Sequence, residues 1–318
     1  GRVHRDLRIS VTDRCNFRCR YCMPAEGLEW LPRDGLLSFE EISRVASLVV
    51  ERFGIRSIRL TGGEPTVRAK LPDLVRLLSP LPVDLALTTN GATLRLLAAE
   101  LAEAGLGRIN VSLDSLRRDR FEELTLRDGL ARVLDGIEAA LAAGLSPVKV
   151  NVVVMRGVND DELVDFARFG RELGVTVRFI EFMPLDAEEA WSEAAVVSQE
   201  EILATIGAVY PLEPPARSNA PATRFRYMDG GGEIGVVASV TQSFCDSCDR
   251  IRLTADGQFR NCLFATEEFD LRGLLRSGAS DDEVADLVER AVAAKWAGHG
   301  IGRVDFIRPA RSMSQIGG

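Results

Sequence analysis

With 318 residues, 46% of them hydrophobic and 27% charged, the chain has the make-up of an ordinary globular protein, long enough to bury a large core as one domain or one with an appendage. A formal net charge of -8 argues against non-specific binding to nucleic acid or to an acidic membrane, both of which need a basic face, so any basic site must be local. No apolar run approaches the roughly 20 residues of a membrane span and GRVHRDLRIS, residues 1 to 10, lacks the apolar stretch of a signal peptide, so the cytoplasm is the expected location. Thiols stay reduced there, and six cysteines read as metal ligands or catalytic groups rather than as disulfides.

The first predicted strand, LRISVT, runs straight into DRCNFRCRYCMP, which places Cys15, Cys19 and Cys22 within a short loop and leaves no fourth cysteine nearby. A structural zinc wants four ligands, and the histidines are His4 and His299, so a carboxylate would have to complete the set; zinc stays open. Three thiolates suit a 4Fe-4S cluster whose remaining iron is left open to a small molecule. Next, SFEEISRVASLVVERFG predicts a helix with a Ser38/Glu41 capping box and Ile42, Val45 and Val49 along one stripe.

Further predicted strands are SIRLTG, DLALTT, RINVSLD, PVKVNVVV and TVRFIEF, alternating with helical stretches near 72–79, 93–104, 119–143 and 160–173. Six strands alternating with helices imply a parallel sheet, either doubly wound or curled into a partial barrel, with sites at the carboxyl ends of the strands. LTGGEPTVR follows the second strand. Gly62 and Gly63 there remove side chains where backbone must approach a ligand, and Glu64-Pro65 offers a carboxylate on a stiffened turn that can hold an ammonium group.

Side chains alternate across a strand, so residues of one parity share a face. That face holds Arg8, Ser10 and Thr12 on the first strand and Ser57, Arg59 and Thr61 on the second; Arg108, Asn110, Ser112 and Asp114, then Lys149 and Asn151, then Thr176 and Arg178 continue it. The opposite faces are aliphatic or aromatic, as expected beneath covering helices. The polar faces then look into a lumen. Past a Pro-rich connector at 210–224, two hairpins are predicted, turning at Gly230–Gly232 and at Asp256-Gly257, then helices near 269–276 and 281–296. This region carries Cys245, Cys248 and Cys262 and puts Arg250 and Arg252 on one face of a strand. Buried cations need anions, so the cavity is expected to receive a polyanion such as a nucleoside triphosphate. The alternative is that the arginines pair with strand-end carboxylates such as Asp114 and Glu181, or are solvated. The tail RPARSMSQIGG reads as mobile.

These motifs resemble the radical S-adenosylmethionine (SAM) enzymes. Cys15, Cys19 and Cys22 match that superfamily's CxxxCxxC pattern, with Tyr21 before the last cysteine, and GGEP matches its loop for the methionine amino group. More narrowly, RLTGGEPTVR, LTTNG, INVSLD, RFIEFMPL, SFCDSCDRIRLTADGQFRNCLFA and the terminal IGG resemble the GTP 3′,8-cyclase family of molybdenum-cofactor biosynthesis, a likeness running from residue 7 to the end. The resemblance implies an α/β fold, an incomplete (βα)6 TIM-like barrel over 1–210, closed by a C-terminal α+β region over 211–318 that carries a second 4Fe-4S cluster. It implies a lyase in which an open iron on the first cluster chelates SAM, a 5′-deoxyadenosyl radical takes the C3′ hydrogen of GTP, and C3′ adds to guanine C8.

By the same likeness SAM contacts fall on Tyr21, Gly63, Glu64, Ser112 and Met183, and GTP contacts on Arg8, Arg59, Thr88, Lys149, Arg178, Arg250 and Arg252. Cys245, Cys248 and Cys262 hold the second cluster, whose open iron takes the guanine ring, and the Gly317-Gly318 tail assists in the active site. Implied partners are a reductase or other electron donor and the next pathway enzyme, cyclic pyranopterin monophosphate synthase; a homodimer is compatible with it, nucleic acid and membrane are not. Two rivals remain. A peptide-modifying radical SAM enzyme would usually bring more cysteines than the second triad supplies, and a non-catalytic iron–sulfur or zinc binding module leaves GGEP and the inward arginines without a purpose.

Overall fold

The computed structural model describes residues 3–185, 191–215, 221–301 and 306–317. Its first part alternates strand and helix: β1 (Asp6–Ser10), α1 (Phe39–Phe53), β2 (Ser57–Thr61), α2 (Leu71–Leu78), β3 (Asp84–Thr89), α3 (Ala98–Glu103), β4 (Arg108–Ser112), α4 (Arg118–Thr125), α5 (Leu130–Ala142), β5 (Val148–Val154), α6 (Leu163–Leu173) and β6 (Thr176–Glu181). There follow α7 (Gln199–Gly207), β7 (Thr223–Arg226), β8 (Glu233–Val237), β9 (Arg250–Leu253), β10 (Gln258–Arg260), β11 (Phe269–Asp270), α8 (Leu271–Arg276), α9 (Asp281–Ala293) and α10 (Met313–Ile316).

The strands β1 to β6 lie side by side in chain order, all parallel. A doubly wound sheet reverses its strand order part-way; this one does not, so every crossover helix falls on the same face and the sheet curls. The curl is physical. In a flat sheet β1 and β6 would stand roughly 24 Å apart at about 4.8 Å per strand, yet Arg8 on β1 and Arg178 on β6 line one cavity. Later residues extend both edges: β8 pairs parallel with β6 and carries β7, while β9 pairs parallel with β1 and carries β10 and β11. Strands β7 and β11 end the sheet without meeting, so the barrel is incomplete.

Local chemistry explains the elements. α1 begins at the Ser38/Glu41 capping box, buries Ile42, Val45 and Val49 under the sheet and stops at Gly54, whose φ of 69° suits glycine. The stretch 119–143, expected as one helix, is two. Leu126 turns left-handed at φ 52°, and the freed carbonyls of Leu124 and Thr125 accept hydrogen bonds from Arg20 and Arg18 of the cysteine loop, at 3.1 and 2.9 Å. Phe17 fills the gap, edge-on to Phe121 at 5.7 Å and so close to Gly129 that a Cβ there would meet its ring at 2.9 Å. The helix breaks because the loop needs its end. Likewise 93–104 opens as a 3-10 turn, Leu94–Leu96, before α3.

The stretch 269–276, expected as helix, opens with the short strand β11 before α8, and two elements had no sequence expectation: α7, although Ser198 and Glu201 form a capping box, and α10. The last overturns the expectation of a mobile tail. Ser312 and Gln315 cap the turn, Ser314 and Ile316 are each 1% exposed, and Arg311 grips Asp256 and Glu268 at 2.8 Å each. Small polar residues suggested disorder; buried partners decided otherwise.

Candidate functional site

One cavity of about 520 Å³ opens at the carboxyl ends of the strands, and both cysteine triads line it. At one end the loop after β1 presents Cys15, Cys19 and Cys22. Gly62 and Gly63 hold this loop by close approach: a Cβ on either would sit 2.5 Å from backbone oxygens of Thr12, Asp13 or Arg14, and Gly63 and Glu64 donate to Thr12 and Arg14 carbonyls at 2.8 and 2.7 Å. The glycines were expected to make room for a ligand; they make room first for the cysteine loop. Glu64 is buried, and its Oε1 accepts from Thr66 N–H and hydroxyl and from Thr89 hydroxyl, while Oε2 accepts from Asn90 N–H at 2.6 Å. Each carboxylate oxygen has about two acceptor positions, and three of the four bonds crowd onto Oε1. Oε2 keeps one to spend on a ligand; the rest of the group is scaffold.

Around Cys15 the donors are neutral amides, Phe17 N–H at 3.4 Å and Asn90 Nδ2 at 3.8 Å. Burial pushes the Cys15 thiol up to about 11 and that of Cys22 up to about 12, and raises that of Cys19 well above the usual thiol range, so a bound cation would favour their thiolates. No three His, Cys, Asp or Glu side chains among the described residues converge on a point that would hold a single ion. Ligands that each bind a different iron stand farther apart than ligands sharing one zinc, and cysteines that do not gather on one point suit the former. Tyr21 donates to Asp114 at 2.6 Å, and burial pushes the Asp114 carboxyl up to about 6. Ser112 and Met183 line the same end.

The arginines line the same cavity, layered by strand register. Arg8 stands beside Arg59 on one side and Arg252 on the other; Lys149 lies between Asn110 and Thr176, and Arg178 beside Asn151. Burial, reinforced by neighbouring cations, brings Arg59 and Arg178 down to about 10 and Lys149 to about 8, and lowers Arg8 and Arg252 as well. Arg8 Nε, Arg59 Nε and Arg250 Nε and Nη2 are buried without a hydrogen-bond partner among the described residues. Arg178 is held by Asn151 and Asn110 at 2.9 and 2.6 Å, Arg250 lies 4.9 Å over the Phe244 ring, and Thr88 accepts from Asn110 at 3.3 Å.

The carboxylates that might have neutralised them are spent elsewhere. Asp114 serves Tyr21 and Val153 N–H, and Glu181 accepts from Gln199, Val240 and Thr241. Asp6, 3.8 Å from Arg8, answers part of the charge. Unpaired buried cations cost several kcal/mol, so this wall is built for an anion.

Thus every residue singled out for SAM, GTP or cluster contact lines this one cavity, apart from the tail glycines. The Gly317 carbonyl accepts a hydrogen bond from Arg252, and a Cβ on Gly317 would meet Thr61 at 2.9 Å. Gly318 lies outside the described residues. Asp6 was missed although it shares the parity of Arg8; His299 and Lys295 were missed because no local pattern ties them to the cysteines.

Residues 9–170 match the Radical SAM superfamily and residues 175–301 match Molybdenum Cofactor Synthesis C. The chain is 49% identical over 325 residues to GTP 3′,8-cyclase of Rhodopirellula baltica, covering 100% of this chain and 90% of the relative. It is 50% identical over 328 residues to GTP 3′,8-cyclase of Mycobacterium marinum, covering 100% and 91%. In fold it is similar to Streptococcus suis SuiB bound to S-adenosylmethionine, with a TM-score of 0.61 at 13% identity, covering 89% of this chain and 67% of that one. No helix among the described residues is long and apolar enough to cross a membrane.

Proposed function

The chain belongs to the GTP 3′,8-cyclase family of radical SAM enzymes, which acts in molybdenum-cofactor synthesis, and from that premise we propose how its own residues divide the cavity. Family membership brings a 4Fe-4S cluster and SAM, and Cys15, Cys19 and Cys22 are the residues that would hold the cluster. Bound there and reduced, the pair supplies a radical that takes a hydrogen atom from the substrate. The backbone at Gly63 and the unspent Oε2 of Glu64 receive the SAM ammonium; Tyr21, Ser112 and Met183 wall the rest of its site.

GTP lies along the arginines. Arg8, Arg59, Lys149, Arg178, Arg250 and Arg252 neutralise its triphosphate, and Thr88 adds a hydroxyl contact. Cys245, Cys248 and Cys262 would hold a second cluster, which would supply an iron for the guanine ring to bind, and Gly317 steadies Arg252. An external one-electron donor and transfer of product to cyclic pyranopterin monophosphate synthase, in the cytoplasm, complete the reading. The protein's contribution is orientation and exclusion of water.

The observation that carries this is the shared cavity: both cysteine triads line it together with arginine N–H groups that have no hydrogen-bond partner among the described residues. A peptide substrate would leave those cations unanswered. The experiment is anaerobic turnover of reconstituted, reduced protein with SAM, with and without GTP, scored by mass spectrometry. GTP-dependent formation of 5′-deoxyadenosine and a cyclised nucleotide is expected; deoxyadenosine without a GTP product would overturn the substrate assignment.

A further inference from the structure

The three residues after α9 lead the chain back onto the second cysteine triad. Lys295 Nζ donates to the Cys248 carbonyl at 3.1 Å, to the Arg250 carbonyl at 2.7 Å and to Cys248 Sγ at 3.7 Å. The two carbonyl bonds fix the ammonium beside the sulfur. The site is tied down from other sides too. Asp249, between the two accepting residues, takes hydrogen bonds from Arg5 and Asp6 N–H at 3.1 and 3.3 Å, and Asn261, next to Cys262, donates to the α9 carbonyl of Ala291 at 2.8 Å. The first triad is furnished differently: the donors to Cys15 Sγ are neutral amides.

We propose that Lys295 is a positioning residue for the second cluster, its ammonium held against Cys248 Sγ to stabilise the more negative, reduced state and so raise the cluster's reduction potential. This rests on the reading of Cys245, Cys248 and Cys262 as cluster ligands. A donor at a ligand sulfur withdraws electron density from the metal–sulfur bond, and a fixed positive charge favours whichever redox state carries more negative charge. One electron enters the cluster from an external reductant; no proton or bond is exchanged with Lys295. Two carbonyls alone could be served by a neutral donor. The contact with sulfur brings the charge to a ligand of the cluster.

The test is an anaerobic redox titration of the full, cluster-loaded chain against a low-potential chemical reductant, followed by electron paramagnetic resonance. A background with Cys15, Cys19 and Cys22 changed to alanine identifies which signal belongs to the second cluster. In Lys295→Met, which keeps the stem and removes the charge, the reduction equilibrium of that cluster falls about tenfold, about 59 mV for one electron; Lys295→Arg restores most of it. An unchanged midpoint in Lys295→Met at full iron content overturns the inference. If that variant loses its iron, Lys295→Gln carries the test: a lowered midpoint supports the role and an unchanged one refutes it. Absence of any cluster signal in the alanine background would instead sink the reading of the second triad, and the inference with it.

Discussion

Lys149 is pushed down to about 8, first by burial and then by Arg178, Arg108 and Arg59. The free protein therefore sheds this proton near pH 8, well below the ordinary lysine value, and a triphosphate binds the protonated form more tightly. GTP affinity is expected to fall several-fold as pH rises from 7 to 9, measured by KM or direct binding, and Lys149→Arg should flatten that decline. A wild-type profile flat across this window would remove Lys149 from the anion wall. Arg252, 2% exposed and bonded to Gly317, makes a second case. Arg252→Ala should cut GTP turnover at least tenfold with SAM binding intact, whereas Cys15→Ala should abolish SAM cleavage; equal loss of SAM binding in both would show that Arg252 serves only the fold. Strand parity made these cations legible in the sequence, because alternation is local. It could not show that Glu181 and Asp114 would be claimed by backbone and tyrosine donors, leaving the arginines unanswered.

At the level of elements, the GG loop and the cysteine loop form one unit. A Cβ on Gly63 would lie 2.5 Å from the carbonyl oxygens of Asp13 and Arg14, backbone atoms that cannot swing aside as a side-chain tip can. Gly63→Ala should cost about 1–3 kcal/mol by overpacking and, more tellingly, lower iron retained by the first triad while the second keeps its own. Iron content by triad, with the other triad changed to alanine, checks this; full loading of the first would mean that the close contact is not limiting. The α4–α5 break and α10 share a cause. Each is shaped by partners distant in sequence: the cysteine loop for one, Arg252 and the Asp256–Glu268 pair for the other. A periodic pattern runs smoothly through residue 126 and cannot reveal that the carbonyls behind it are needed elsewhere.

For the whole molecule, the sheet is held in its curl at two seams, β1–β9 and β6–β8, where later chain joins the first and last barrel strands. Glu181, at the end of β6 and 0% exposed, pins the second seam by accepting from Gln199, Val240 and Thr241. Glu181→Ala removes the acceptor of the buried Gln199 N–H and of the partly accessible Val240 and Thr241 donors and should destabilise the fold by about 1–3 kcal/mol in urea titration, with lower loading of the second triad. A loss below about 1 kcal/mol would mean water replaces the carboxylate. What the sequence determined by itself was local in its physics: six strands and their facing, the helix start at Ser38, two hairpins, two groups of thiols, and motifs dense enough to reveal the family. Only the tertiary structure decided that the sheet curls rather than winds doubly, that Arg8 and Arg178 share one cavity, that the tail is docked, and that Lys295 meets Cys248. The reason is range: periodicity and capping act over a few residues, whereas curvature and the choice of partner for a buried charge depend on chain segments that meet only after folding.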